Sequence, residues 1–189
     1  MASRQGSAIN DPVSKFMTKG VITISENQTM KEASKLMYED NIGSLVVIKK
    51  GGSSNREGDV SDIAPEKKEV PIGIVTERDI ARTIGFAAKH SIFGDMPLSE
   101  VMSKSLITVS PDTPLKDAVV LMQQKDIRRL PILDDKGQLA GIITDKDILR
   151  AVVKGFKETI KDHGLVSEGF DLLGLLGAEY IFLSILIFT

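Results

Sequence analysis

No cysteine occurs among the 189 residues. Its absence removes disulfides, thiolate nucleophiles and cysteine-bound zinc together, leaves an apolar core to hold the fold, and suits a reducing cytoplasm, the expected location. A strong excess of positive or negative charge is missing as well. Lys and Arg total 24 against 26 Asp and Glu, the net charge is −2 and there is no long basic run, so the electrostatic footprint of sequence-independent nucleic-acid binding is lacking. No P-loop, G-x-S-x-G, H-E-x-x-H or glycine-rich dinucleotide pattern is present, and nothing else in the chain argues for catalysis. The most apolar stretch, residues 172–188 (LLGLLGAEYIFLSILIF), is 17 residues long and carries Glu179, short of the ~20 apolar residues of a spanning helix. Residues 1–11, MASRQGSAIND, have no apolar signal-peptide core and are expected to be an unstructured lead-in. The length allows one well-buried core or two small ones, and no large enzyme.

What is present is a repeat. Sliding the chain on itself by 85 places sets residues 21–48 over 106–133, with identities at Thr23/Thr108, Ser25/Ser110, Ala33/Ala118, Leu36/Leu121, Met37/Met122, Ile42/Ile127 and Leu45/Leu130. A second pair of blocks, GIVTERDI (73–80) and GIITDKDI (141–148), matches at an offset of 68. The first copy therefore carries 17 extra residues, the difference of the two offsets, inside a Gly-, Ser- and Asp-rich insertion at about 49–70. This divides the chain into a first repeat over 12–87, a linker over 88–100, a second repeat over 101–155 and an extension over 156–189.

Each copy reads as strand, helix, strand, strand, helix. A β-branched run (21–24; 106–109) precedes a helical stretch with one apolar face: Met30, Ala33, Leu36 and Met37, then Leu115, Ala118, Leu121 and Met122. Thr29 and Glu32 stand at capping-box spacing, and Thr113 is followed by Pro114, which suits a first helical position. Apolar strands follow at 45–48 and 130–133, then at 72–75 and 139–143, with closing helices from about Thr76 and Thr144. A unit of about sixty residues with three strands is marginal alone. The expected fold is thus one α+β module of two βαββα repeats packed sheet to sheet with pseudo-two-fold symmetry.

Thr-x-x-Asp at the start of a helix is ordinary capping chemistry: the hydroxyl takes a free amide and the carboxylate faces the positive end of the dipole. The same helix end, opening directly from a strand, also suits a phosphate, while an aspartate can accept from both hydroxyls of a ribose. Both readings stand for Thr76/Asp79 and for Thr144/Asp147. The histidines carry no motif: His90 lies in the linker, His163 in the extension, and both are read as surface residues. Asp134 and Asp135, before Gly137, are read as turn residues.

The duplicated Gly-apolar-apolar-Thr-x-x-Asp-Ile, the VMSKSLITVSPDTPLKDAV opening and the IRRLPILDDKGQLAGIITDKDIL run resemble a tandem pair of CBS domains, the Bateman module, over roughly residues 12–153. The resemblance implies two pseudo-symmetric clefts, a regulatory role without catalysis, and binding of adenosine-containing ligands such as AMP, ADP, ATP or S-adenosylmethionine. Carried over by position, Asp79 and Asp147 would hold ribose hydroxyls, and Thr76 and Thr144 would meet phosphate or ribose. It further implies that Thr144/Asp147 work with Ile22, Thr23, Ser44 and Val46, and Thr76/Asp79 with Ile107, Thr108, Arg128, Arg129 and Pro131. Thr23 and Thr108 are equally natural as plain strand residues. Arg128-Arg129 replaces Gly43-Ser44 of the first copy, which would give the Asp79 cleft a phosphate donor and a preference for phosphorylated ligands. Alternation along a strand lets one of the two arginines face inward, and the sequence does not say which. Arg78 and Lys146 are second-tier candidates, equally explained as solvated charges.

Two partner readings stay open beside the ligand. CBS pairs commonly form homodimers through their helices, and an interaction module with empty clefts would look the same in sequence. The apolar tail over 170–189 suits burial against the module or a second subunit, docking to an unidentified protein, or peripheral membrane contact. Its residues leave helix and strand equally open.

Overall fold

The computed structural model describes residues 8–50, 69–87 and 94–162. Most of the polar insertion, His90, His163 and the apolar tail lie outside the described residues. The first copy forms β1 (Thr23–Ser25), α1 (Met30–Glu39), β2 (Ser44–Lys50), β3 (Glu69–Thr76) and α2 (Glu77–Ala87). After a short helix α3 (Leu98–Val101) the second copy forms α4 (Leu115–Lys125), β4 (Arg129–Leu133), β5 (Leu139–Thr144) and α5 (Asp145–Asp162). Two single turns of 3-10 helix, Ala8–Asn10 and Val13–Lys15, lead in.

The helices form where the apolar period and the caps agree. In α1 the Thr29 hydroxyl accepts from the Glu32 N–H while the Glu32 carboxylate accepts from the Thr29 N–H, closing the expected capping box. Its apolar face buries Met30, Ala33 and Met37, and α4 buries Leu115, Ala118 and Met122 in the same way. The start of α4 differs by one residue from the sequence reading. Pro114 is its N-cap, extended at φ −58° and ψ 141°, rather than its first helical residue. It stands where Thr29 stands in the first copy, and the Leu115 N–H that follows it is bonded to the Asp11 carbonyl at 2.9 Å. After each helix comes a left-handed residue, Asn41 at φ 52° and Asp126 at φ 50°. Asn and Asp tolerate that conformation best among residues with a Cβ.

β1 runs parallel to β2, with Thr23 opposite Val46, and β2 pairs antiparallel with β3, with Ser44 opposite Thr76 and a register shift between Val47 and Ile48. The second copy has a two-stranded sheet of β4 and β5. Its expected first strand over 106–109 is reduced to a parallel bridge between Val109 and Ile132. Sequence explains the loss. The Glu26 N–H donates to the Ile48 carbonyl at 3.1 Å in the first copy, and the residue 85 places on is Pro111, which has no N–H to donate.

Contacts group the described residues into two compact units that do not coincide with the repeats. One comprises residues 18–50, 69–87, 94–111 and 130–142. Its core holds Ile24, Met30, Ala33, Met37, Leu45, Val47 and Val75 from the first copy, completed by Leu98 from the stretch ahead of the second. Met96, Val101 and Met102 pack on the same cluster. The backbone confirms the intrusion: Met30 N–H donates to Met96 at 3.0 Å, Leu98 N–H to Gln28 at 2.8 Å, and Ile74 and Ser103 exchange bonds of 3.2 and 2.9 Å. Thr18 and Ile142 make the same exchange within this unit.

The other unit comprises residues 8–17, 112–129 and 143–162. Here the stretch ahead of the first copy serves the second. Val13, with no exposed surface, donates its N–H to the Thr113 carbonyl at 2.8 Å. Residues 8–11, read from sequence as unstructured lead-in, include the Ala8–Asn10 turn. Each of these bonds recurs in the first unit at an offset of 85, Leu115 to Asp11 matching Met30 to Met96, and Val13 to Thr113 matching Leu98 to Gln28. The repeat is therefore written into individual backbone hydrogen bonds.

Candidate ligand-binding site

The glycine of GIVT has a steric role. A Cβ on Gly73 would lie 2.7 Å from Met102 Sδ and 2.8 Å from the Ser103 carbonyl oxygen, so only glycine lets the 102–103 backbone lie against β3. One residue on, the Ile74–Ser103 exchange binds that backbone to the strand. Two residues further, Thr76 ends β3 and α2 begins.

At that junction the Asp79 carboxylate works locally. Its Oδ2 accepts from the Thr76 N–H at 2.9 Å and the Thr76 hydroxyl at 2.7 Å, and the Asp79 N–H donates back to Thr76 Oγ1 at 3.4 Å. Thr144 and Asp147 repeat this set at 3.0, 2.7 and 3.3 Å. Thr29 and Glu32 have the same topology, which makes all three capping boxes. Both threonine hydroxyls thus spend their proton on the carboxylate. A phosphate could receive that proton only if the box opened, so these threonines orient the aspartates.

The helix starts also hold fewer free amides than an isolated helix end. The Glu77 N–H is taken by the Gly43 carbonyl at 3.2 Å and the Asp145 N–H by the Arg128 carbonyl at 3.1 Å. The Lys146 N–H is taken by Asp145 Oδ1 at 2.8 Å. Carboxylates crowd the first turns, Glu77 and Asp79 in α2, Asp145 and Asp147 in α5. These groups favour a hydrogen-bond donor or a cation over a multiply charged phosphate.

The two aspartates differ in their outer oxygens. Asp147 Oδ1 receives Arg150 Nη1 at 3.2 Å. No side chain among the described residues donates to Asp79 Oδ1. Arg150 was not legible as part of the site, although Arg82 and Arg150 each stand three places after their aspartate. A second unforeseen contact is the buried Thr83 hydroxyl, which donates to the Asp79 carbonyl at 2.8 Å; Ala151 takes its place in the second copy.

The remaining sequence candidates fall as follows. Thr76, Asp79, Ile107, Thr108 and Pro131 share one unit, where the Val109 N–H donates to the Pro131 carbonyl at 3.2 Å and ties Thr108 to that strand. Ile22, Thr23, Ser44 and Val46 lie in the same unit, Ser44 opposite Thr76 and Val46 opposite Thr23. Val46 and Pro131 are fully buried; Ile22, Thr23, Ser44, Ile107 and Thr108 are half-buried. Thr144, Asp147, Lys146, Arg128 and Arg129 belong to the other unit. Arg128 is exposed and Arg129 half-buried, while Arg78 and Lys146 are exposed. Asp134 is a turn residue: its Oδ1 accepts from the Lys136 and Gln138 N–H groups at 2.9 and 2.8 Å, beside Gly137 at φ 71°. Among the described residues no cluster of His, Asp and Glu is arranged to hold a metal ion, and no helix is long and apolar enough to cross a membrane.

The chain as a whole is similar to known proteins. The family model described as CBS domain matches residues 13–62 and 98–154, more than half of the chain. The CBS domain-containing protein YhcV of Bacillus subtilis is 37% identical over 132 residues, covering 70% of this chain and 79% of that protein. The uncharacterized protein MJ1404 of Methanocaldococcus jannaschii is 33% identical over 171 residues, covering 84% of this chain, and the chain spans only 36% of its length. Among solved structures, the CBS domain pair of protein MJ0100, in complex with 5′-methylthioadenosine and S-adenosyl-L-methionine, superposes with a TM-score of 0.57 at 26% identity, covering 77% of this chain and 97% of that one. Two matched segments in tandem and the bonds that recur between the copies lead to one conclusion: this chain belongs to the CBS-domain family, as a pair of CBS repeats.

Proposed function

We propose that the chain is a regulatory module that binds an adenosine-containing small molecule and passes its occupancy to a partner, with repeats over 12–87 and 101–155. The observation that carries the reading is the outward oxygen of Asp79. Its sister oxygen is held by Thr76 N–H and O–H, which fixes Oδ1 in place, and no side chain among the described residues donates to it, so it can accept from the vicinal hydroxyls of a ribose. Ile107 and Thr108, half-buried in the same unit, would lie against the base, with the backbone beside Pro131. AMP, ADP and ATP are the first ligands to try. A second reading, a methylthioadenosine or S-adenosylmethionine ligand, is favoured by the acidic first turn of α2, and the similar MJ0100 pair was crystallised with that chemistry. To regulate, the ligand must bind two arrangements of the protein unequally, by about 1–3 kcal/mol for a typical coupling.

Calorimetry on the wild type and on Asp79→Asn and Asp147→Asn, with AMP, ADP, ATP, S-adenosylmethionine and methylthioadenosine, tests the reading and ranks the ligands. Loss of heat in the aspartate variants supports it. Absence of binding by every adenosine compound at millimolar concentration removes it and leaves the interaction-module reading. Light scattering with and without residues 170–189 tests the proposed homodimer and the tail's part in it.

A further inference from the structure

Resting on the ribose reading above, we propose that Arg150 is a specificity-determining residue that makes the Thr144–Asp147 helix start the weaker of two adenosine sites. In both capping boxes Oδ2 is consumed by the threonine, so Oδ1 is what remains for a diol. At Asp147 that oxygen is engaged: Arg150 Nη1 stands 3.2 Å away, and the Asp147 side chain keeps only 10% of its surface exposed. At Asp79 no side chain among the described residues donates to it, and Arg82, the residue matching Arg150, is exposed and pairs with no carboxylate among them. A ribose approaching Asp147 must first displace the guanidinium. The Arg150 side chain is 77% exposed, so the obstacle has the size of a surface ion pair, roughly two- to fivefold in affinity. Ligand class decides the sign of the effect. A displaced guanidinium would be free to meet a phosphate, whereas a ligand with an uncharged 5′ group offers it nothing, so Arg150 selects against uncharged adenosines at this helix start.

The test uses 5′-methylthioadenosine, whose 5′ substituent is neutral, on the full chain. In an Asp79→Asn background, which leaves the second helix start, adding Arg150→Ala is expected to tighten binding roughly two- to fivefold. In an Asp147→Asn background, adding Arg82→Ala is expected to change affinity by less than about twofold, because Arg82 occupies no acceptor. Arg150→Lys, which keeps the charge on a different head group, should fall between wild type and Arg150→Ala. If wild type binds methylthioadenosine but Asp79→Asn binds it no better after Arg150→Ala, the role of Arg150 is overturned while the ribose reading stands. If wild type binds no adenosine compound, the ribose reading fails and this inference with it.

Discussion

Thr18 and Ile142 lie 124 positions apart in the chain (142 − 18) and exchange two backbone hydrogen bonds, of 2.9 and 3.0 Å. Ser103 and Ile74 make the matching exchange at 2.9 and 3.2 Å. Each repeat thus lends backbone from its opening residues to the last strand of the other. Neither repeat holds its full set of bonds without its sister.

Removing a lent side chain should therefore unsettle the repeat that receives it. Leu98 has no exposed surface and completes the core of the first copy. Leu98→Ala is expected to destabilise the chain by about 2–5 kcal/mol, while Val120→Ala on the exposed face of α4 stays within about 0.5 kcal/mol. Urea denaturation followed by far-UV circular dichroism measures both, and a small effect at Leu98 would contradict the lent-core account.

Two glycines should respond with opposite signs. Gly73→Ala drives a Cβ into Met102 Sδ and the Ser103 carbonyl, and is expected to cost about 1–3 kcal/mol because the backbone carbonyl cannot swing aside. Gly85 lies inside α2 with nothing within 4 Å of an added Cβ. Gly85→Ala is expected to stabilise by about 0.5–1 kcal/mol, through helix propensity and a less flexible unfolded chain. Equal effects at the two positions would show that close approach at Gly73 is unimportant.

The aspartate caps should matter before any ligand is added. Asp79→Ala and Asp147→Ala each leave a threonine N–H and hydroxyl without their acceptor, and each should cost about 1 kcal/mol, a fall of roughly 2–4 °C in thermal midpoint. Asp79→Asn retains a carbonyl acceptor and should cost less. Scanning calorimetry without ligand separates this structural part from loss of binding.

The α1 cap should be sensitive to acid. The Glu32 carboxylate accepts from the Thr29 N–H, the largest cause, then the Thr29 hydroxyl and Gln28, and these bonds hold its pKa below the usual glutamate range. A carboxyl depressed on folding contributes stability above its unfolded pKa and loses it as pH falls through the lowered folded value. The gap in urea midpoint between wild type and Glu32→Gln should be largest at about pH 7 and narrow progressively as pH falls below the ordinary glutamate value of about 4.3. A gap that widened with acid would reverse the assignment.

Sequence by itself determined what depends on neighbours along the chain. The spacing of Met30, Ala33 and Met37 sets the buried face of α1, the Thr29–Glu32 and Thr-x-x-Asp pairs set three caps, and two offsets set the order of elements twice over. These follow from the helical period and from bonds three residues apart, which need no distant partner. Tertiary structure decided what depends on partners far along the chain. It lent Leu98 to the first copy's core and gave Gly73 its reason. It also set Arg150 against Asp147 Oδ1, while no side chain among the described residues donates to that of Asp79. Both motifs carry an arginine three places on, so their spelling alone does not separate them. A guanidinium on a long flexible stem can take either arrangement at the same spacing, and sequence spacing does not encode which.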